Sequence, residues 1–356
     1  MAQDSDQHPT LVSSYAALAL QFTVHAINRC PDVASSRKHI DAALERVAAQ
    51  VAASRQFIGE QLKLVVLPEY FLTSYPLGES IAAWRQRACI DPGGREYERL
   101  GRIARDSGVY LSGNLYETDP NFPELYFQTS FIIDDAGDAI LRYRRLISMY
   151  GPTPHDVLDR YLDVYGADSL FPVAATPLGR LAAVASEEIL FPEVSRALVL
   201  NGAELICHSS SEIASPAVTP KHAAKLARAY ENHVYIVSAN TAGIAGIDLP
   251  NESVDRGSKV VDYAGRVLAE AASGESMAAY ADIHIDALRD YRRRPGLFNV
   301  LARQRLDLFS RIYSDDAVYP ANSLLDDDGK VIEPERAHFM DTQRRVIQAL
   351  MERGVI

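Results

Sequence analysis

The order of strand-like and helix-like segments predicts an α/β sandwich whose sheets are mixed rather than purely parallel. Two observations carry this. Strands and helices alternate through both halves of the 356-residue chain. Hairpins interrupt that rhythm, one at the turn Asp134–Asp138 and one around Ala264 and Gly265. No internal repeat and no low-complexity linker is visible, which favours one principal domain.

Taken in order, Tyr15 to Val24 (YAALALQFTV) reads as a first strand. Ile40, Ala43, Leu44, Val47 and Val51 recur at helical spacing and predict a helix between Asp32 and Gln61. Leu64 to Leu67 is a short apolar strand stopped by Pro68, and a helix follows around Tyr97 to Ser107. Val109 to Glu117 and Phe127 to Ile133 are strands, the latter paired through its turn with Ala139 to Leu146. Ser148 to Pro172 is aromatic, acidic and irregular, a loop long enough to suggest a function. Next come a strand at Leu181 to Ser186, a helix from Pro192 to Asn201 and a strand at Glu204 to Ser210. A helix from Pro220 to Asn232 leads to a strand at Val234 to Asn240 and the second hairpin. Asp326 to Gly329 is a surface turn before a helix from Glu333 to Arg353.

Charge narrows the function. Lys and Arg total 36 against 47 for Asp and Glu, a net charge of -11. An acidic chain without a basic run is a poor partner for nucleic acid or an anionic membrane surface. No apolar stretch reaches the roughly 18 residues that span a bilayer. The start, Met1 to Asp6, carries acid where a secretory signal carries base, so a cytoplasmic protein is expected. Cys30, Cys89 and Cys207 lie far apart without a CxxC pair, and no HExxH is present. Neither a disulfide framework nor a metal is indicated.

Three strand ends offer chemistry. Glu69 follows the buried strand ending at Leu67, at the sheet edge where α/β active sites gather. Burial there would raise its pKa towards general-base work, although Glu69 taken alone reads more readily as a cap or a partner for an arginine. In Arg142-Tyr143-Arg144-Arg145, alternation puts Tyr143 and Arg145 on one face and Arg142 and Arg144 on the other. One of those faces should be solvent, with its arginines plain surface charge. Ser186 sits at a strand-to-helix elbow, a place for a nucleophile and, by itself, more commonly for a capping or turn serine.

Together the blocks PEYFLTSYP, RYRRL, SEEILFPEVSRALVLNGAELI, RAYENHVYIVSANTAG and SKVVDYAGRVLAEA resemble the nitrilase (carbon–nitrogen hydrolase) superfamily, over roughly residues 15 to 290. The resemblance implies a four-layer αββα sandwich at 11–295, leaving 296–356 as a C-terminal extension that packs on the domain or on a partner subunit. It also implies a homodimer or larger homo-oligomer, a small-molecule substrate, and no metal or organic cofactor. Members use a glutamate base, a lysine, a cysteine nucleophile and a second glutamate to hydrolyse amides or nitriles through a covalent acyl intermediate. Glu69 falls on the base. Arg145 stands in the lysine position and Ser186 in the cysteine position. Glu188 matches an acidic residue carried by many members. Asp156, with His155 and Asp159 close by, is the candidate for the second glutamate, and Tyr70, Tyr75 and Tyr150 are expected pocket walls.

The two replacements change the chemistry. A serine hydroxyl is a far weaker acid than a thiol and needs a base at the moment of attack. An arginine can stabilise an oxyanion but cannot give up a proton. An atypical enzyme acting on a C–N bond through Glu69, Arg145, Ser186 and Glu188 is therefore expected. The alternative is a catalytically silent binding or scaffold subunit. An engineered serine would explain Ser186 but not Arg145. Cys207, on the strand after the serine elbow, reads as a small buried core residue.

Overall fold

The structure is a computed structural model that describes residues 12–212, 218–250, 257–315 and 318–356. The acidic start and Leu11 at the expected domain boundary lie outside them. Two six-stranded mixed sheets form the centre. The first has β1 (Tyr15–Ala19), β3 (Leu62–Val66), β4 (Tyr110–Thr118), β5 (Tyr126–Ile133), β6 (Ala139–Arg144) and β14 (Tyr280–Ile283), in the order β14-β1-β3-β4-β5-β6. The second has β7 (Ala174–Thr176), β8 (Gly179–Ala185), β9 (Leu205–Ser210), β10 (Tyr235–Asn240), β12 (Lys259–Val261) and β13 (Val267–Glu270), in the order β13-β12-β10-β9-β8-β7. Within the first sheet β1, β3 and β4 run parallel, while β5, β6 and β14 join antiparallel.

Alternation along the strands makes the layers. Tyr15, Ala17 and Ala19 of β1 point into the core shared with the second sheet, beside Leu64, Val66, Leu181 and Cys207. Ala16 and Leu18 point the other way, onto α1 (Val33–Ile58) through Ile40, Leu44, Val47 and Val51. With a period of two, one strand serves both cores. Burying each of those Leu, Ile or Val side chains contributes about 1.5–3 kcal/mol. α3 (Arg95–Ser107) shares the outer layer with α1 through Leu100 and Ile103. α5 (Pro192–Leu200) and α6 (Pro220–Asn232) cover the far side of the second sheet through Val194, Leu198, Ala224 and Ala229. The result is the expected αββα sandwich.

Several elements differ from the sequence pattern. The first strand stops at Ala19, and Gln21 continues only as an isolated bridge to Ser276, its side chain donating to the carbonyls of Ala272 and Gly274. The residues after it form a separate strand, β2 (Thr23–His25), paired in parallel with β11 (Gly243–Ala245). α2 (Ile81–Ala88) was not visible as a periodicity; eight residues capped by Ser80 bury one tryptophan, Trp84. The loop expected to be irregular holds a 3₁₀ turn at Pro154–Val157 and α4 (Leu158–Tyr165).

The C-terminal part adds α7 (Ile285–Arg293), α8 (Asp307–Asp315) and α9 (Arg336–Glu352). Residues after 318 return to that loop. Asn322 and Leu324 donate backbone N–H groups to the carbonyls of His155 and Asp156. Ser323 donates its hydroxyl to Asp156 Oδ1 at 3.0 Å. Among the described residues no helix is long and apolar enough to cross a membrane.

Candidate active site

The site forms where the carboxyl ends of β3 and β8 face the ends of β4, β5 and β6. Two bonds tie the sheets there: Glu69 N–H to the Ser210 carbonyl at 3.3 Å, and Ser209 Oγ to the Leu67 carbonyl at 2.8 Å. Glu69 is fully buried. Its Oε1 accepts from Gln128 Nε2 at 2.8 Å and lies 3.6 Å from Arg145 Nη1. Its other oxygen, Oε2, is buried without a hydrogen bond among the described residues. A buried carboxylate oxygen left unpaired is costly, and such atoms cluster where a ligand supplies the missing partner.

Arg145 reaches this point from the end of β6. Its guanidinium donates to the Ile147 carbonyl at 2.7 Å, to Gln128 Oε1 at 2.7 Å, and to Glu187. Burial works against its charge, but the carboxylates of Glu187, Glu69 and Glu188 outweigh that and raise its pKa. The guanidinium is a fixed cation. Gln128 in turn donates to Asn114 Oδ1 at 2.8 Å, and Asn114 donates to Ser130 Oγ at 3.0 Å. An amide ladder across β4 and β5 thus orients the pair.

Glu188 sits in the 3₁₀ turn Ser186–Leu190 that follows β8. Its Oε1 accepts from the Tyr143 hydroxyl at 2.7 Å and from the N–H groups of Leu146 at 2.7 Å and Ile147 at 3.2 Å. Burial pushes its pKa up to about 7, against the pull of Arg145 and these donors. It brackets the chain leaving β6 against the turn after β8. That bracket holds Arg145 beside Glu187.

Ser186 opens the turn with φ of 45°, a left-handed conformation that costs a non-glycine residue about 1–3 kcal/mol. Its carbonyl accepts from His208 Nε2 at 2.8 Å. Burial holds His208 well below its usual pKa, so the ring is neutral. With its proton on Nε2, Nδ1 accepts from Ser238 Oγ at 2.9 Å. Ser186 Oγ accepts from Lys221 Nζ at 3.0 Å. Tyr70, directly after Glu69, is also left-handed, with φ of 42°. Burial, then the Glu69 carboxylate, push its hydroxyl well above the ordinary tyrosine range. Strained backbone therefore flanks the site on both sheets.

The remaining expected residues lie around or beyond this cluster. Tyr75 packs on Tyr70, ring centroids 5.7 Å apart. Tyr150 lines a cavity of about 460 Å³ with Tyr126, Glu79, Glu333 and Glu335, and Arg336 lies over its ring at 4.2 Å. Asp156 is occupied structurally: Oδ2 accepts from Thr153 N–H and Oγ1 at 2.9 and 2.8 Å, and Oδ1 takes Ser323. His155 packs near Tyr319, at 5.9 Å. Asp159 donates its N–H to Asn322.

The face of β6 expected in solvent is not there. Arg144 is buried against Phe127, Tyr161 and Tyr165 and pairs with Asp119. Arg142 lies over Tyr97 at 4.8 Å and 3.3 Å from Glu117. α3 and α4 cover what the strand pattern alone left open. Cys207 is buried in the inter-sheet core, and burial pushes its thiol up to about 12. Among the described residues no group of three or more His, Cys, Asp or Glu is placed to hold a metal ion.

A formamidase of Bacillus cereus is 28% identical over 239 residues, covering 66% of this chain and 65% of that one. The chain thus spans just under two thirds of the length of that relative. The yeast Nit3 structure, from branch 10 of the nitrilase superfamily, superposes with a TM-score of 0.61 at 20% identity, covering 80% of this chain and 94% of that one. A mutant amidase from Nesterenkonia superposes with a TM-score of 0.58 at 21% identity, covering 85% and 99%. The likeness to these structures is one of fold. The carbon–nitrogen hydrolase family model matches residues 19–293, most of the sandwich and the whole of the Glu69–Arg145–Ser186 region, and the chain belongs to that family.

Proposed function

We propose that this protein hydrolyses a C–N bond in a small amide-like compound, using Glu69, Arg145 and Ser186 without a cysteine nucleophile. The observation that carries the reading is Glu69: a fully buried carboxylate, 3.6 Å from a buried arginine, with one oxygen left unbonded among the described residues. Glu69 acts as general base through that oxygen. Arg145 holds charge where an oxyanion develops, and Ser186 presents its hydroxyl from the strained elbow. Glu188 serves as a positioning residue. The relatives support an amide substrate: the Bacillus cereus protein is a formamidase and the Nesterenkonia protein an amidase. The Nesterenkonia enzyme is described with an active-site cysteine.

The test is hydrolysis of a panel containing formamide, longer amides, nitriles and N-carbamoyl compounds, with Glu69→Gln and Ser186→Ala as controls. Turnover of one class, lost in Glu69→Gln, is the expected result. Ser186→Ala at wild-type rate would exclude a covalent serine route. Joining Ser186→Cys with Arg145→Lys should produce ordinary amidase activity if those two positions alone set the chemistry.

A second reading, a silent binding subunit, draws on one observation. Arg145 already donates to Ile147, Gln128 and Glu187, so much of its fork is in use before any ligand arrives. No turnover across the panel, with ligand binding unchanged in Glu69→Gln, would select it.

A further inference from the structure

Ser186 lacks a partner suited to take its proton in the roles assigned so far. Glu69 Oε1 is engaged by Gln128 and Arg145, its Oε2, unbonded among the described residues, is the base for the water, and Arg145 cannot accept a proton. The group in contact with Ser186 Oγ comes instead from α6. Lys221, Lys225 and Arg228 recur at i, i+4 and i+7 and so share one face of that helix. Two of them have structural partners. Lys225 is fully buried against Glu212, with Nζ 3.0 Å from Oε2. Arg228 donates to the carbonyls of Ile189 and Leu190, both at 3.1 Å, which seats the helix on the turn that begins at Ser186. With the helix fixed there, Lys221 in its first turn brings Nζ to 3.0 Å from Ser186 Oγ.

We propose that Lys221 is the proton-transfer partner of Ser186, so that the two form a serine–lysine dyad. The inference rests on the C–N hydrolase reading of the site and adds to it a catalytic lysine carried by a helix of the second sheet. As the free amine, Lys221 takes the Oγ proton while Oγ bonds to the acyl carbon. The tetrahedral adduct expels the C–N nitrogen, which leaves with the proton from Lys221. Water then attacks the acyl-serine ester, losing its proton to Glu69, and Ser186 recovers that proton as the carboxylic acid departs. Amide plus water gives acid plus amine, with no other reactant. Glu69 is left to orient and deprotonate the incoming water. The His208 bond to the Ser186 carbonyl keeps the elbow from turning its hydroxyl away from α6.

The experiment compares Lys221→Met, Lys221→Arg and Lys221→Ala with the full-length wild type. It reads the rate of Ser186 labelling by a fluorophosphonate probe, located by mass spectrometry, and amide hydrolysis. Both Lys221→Met and Lys221→Arg should slow labelling by about 100-fold or more, because neither side chain accepts a proton. Small primary amines should partly restore Lys221→Ala, in step with their basicity, an effect that a structural lysine would not show. Lys221→Arg keeps a cation of similar reach and guards against misfolding; circular dichroism checks each variant. Wild-type labelling in Lys221→Arg, or in Lys221→Met, would overturn the dyad while leaving Ser186 as nucleophile. Absence of any Ser186 adduct in the wild type, with Ser186→Ala fully active, would instead remove the serine reading and the dyad with it.

Discussion

Arg144 and Arg145 are neighbours at the end of one strand, both buried, and they do opposite things. Arg144 is wrapped by three aromatic rings and one carboxylate, Asp119. Its surroundings fix α4 to the first sheet. Arg145 faces the other sheet, among amides, carbonyls and the carboxylates of Glu69, Glu187 and Glu188. Residue type and burial do not separate them. What separates them is the company: apolar rings and one paired acid mark a structural clamp, whereas an excess of acids with an unbonded oxygen marks a site.

That contrast can be broken experimentally. The largest effect belongs on the Arg145 side: Glu69→Gln should cut turnover by about 10²–10⁴-fold, the range for losing a general base, with the thermal midpoint almost unmoved. Steady-state kinetics beside a melting curve checks it, and a collapse of the fold instead would make Glu69 structural. On the Arg144 side the expectation reverses. Arg144→Ala strands Asp119 in the interior and should cost about 3–5 kcal/mol in urea unfolding, with activity per folded molecule retained. Equal losses of activity and stability in both variants would erase the distinction.

The third expectation concerns pH. Glu188 has a folded pKa of about 7 against an ordinary 4.5. Between those values the folded protein keeps a proton that the unfolded chain has released, so stability falls as pH rises through the window. Its contribution amounts to roughly 3 kcal/mol at most and is complete above about pH 7. Unfolding of wild type and Glu188→Gln at steps from pH 4.5 to 7.5 should give curves that diverge; parallel curves would refute it. The smallest effect is at Asp156, where Asp156→Ala should lose about 1–3 kcal/mol by freeing Thr153 and Ser323, with little change in turnover.

The strand ends were legible because burial and chain breaks are local. Leu67-Pro68 placed Glu69 at a sheet edge, and alternation put Arg145 on one face with Tyr143. The partners were not legible. Gln128 lies 59 residues from Glu69 and Lys221 lies 35 from Ser186, so only the sheet pairing and the seating of α6 bring them close. Asp156 shows a signal that could have been read differently: Thr153-x-x-Asp156 is a helix-start pattern, and it caps the turn. The solvent face expected for Arg144 failed because α4, one short turn-and-helix segment, carries too few residues to announce itself by periodicity. Arg142 is covered by Tyr97 of α3, whose docking on this face no local pattern reports.

The bonds Ser209 to Leu67 and Glu69 to Ser210 join the two sheets at the rim of the site. Glu69 and Arg145 belong to one slab and Ser186 to the other, so the gap between slabs sets how these three side chains meet. The side chains filling that gap, Tyr143 and Cys207 among them, act as spacers. Close-packed interiors transmit a change of one methylene. Substitutions deep between the sheets should therefore retune catalysis at sizes too small to register as unfolding.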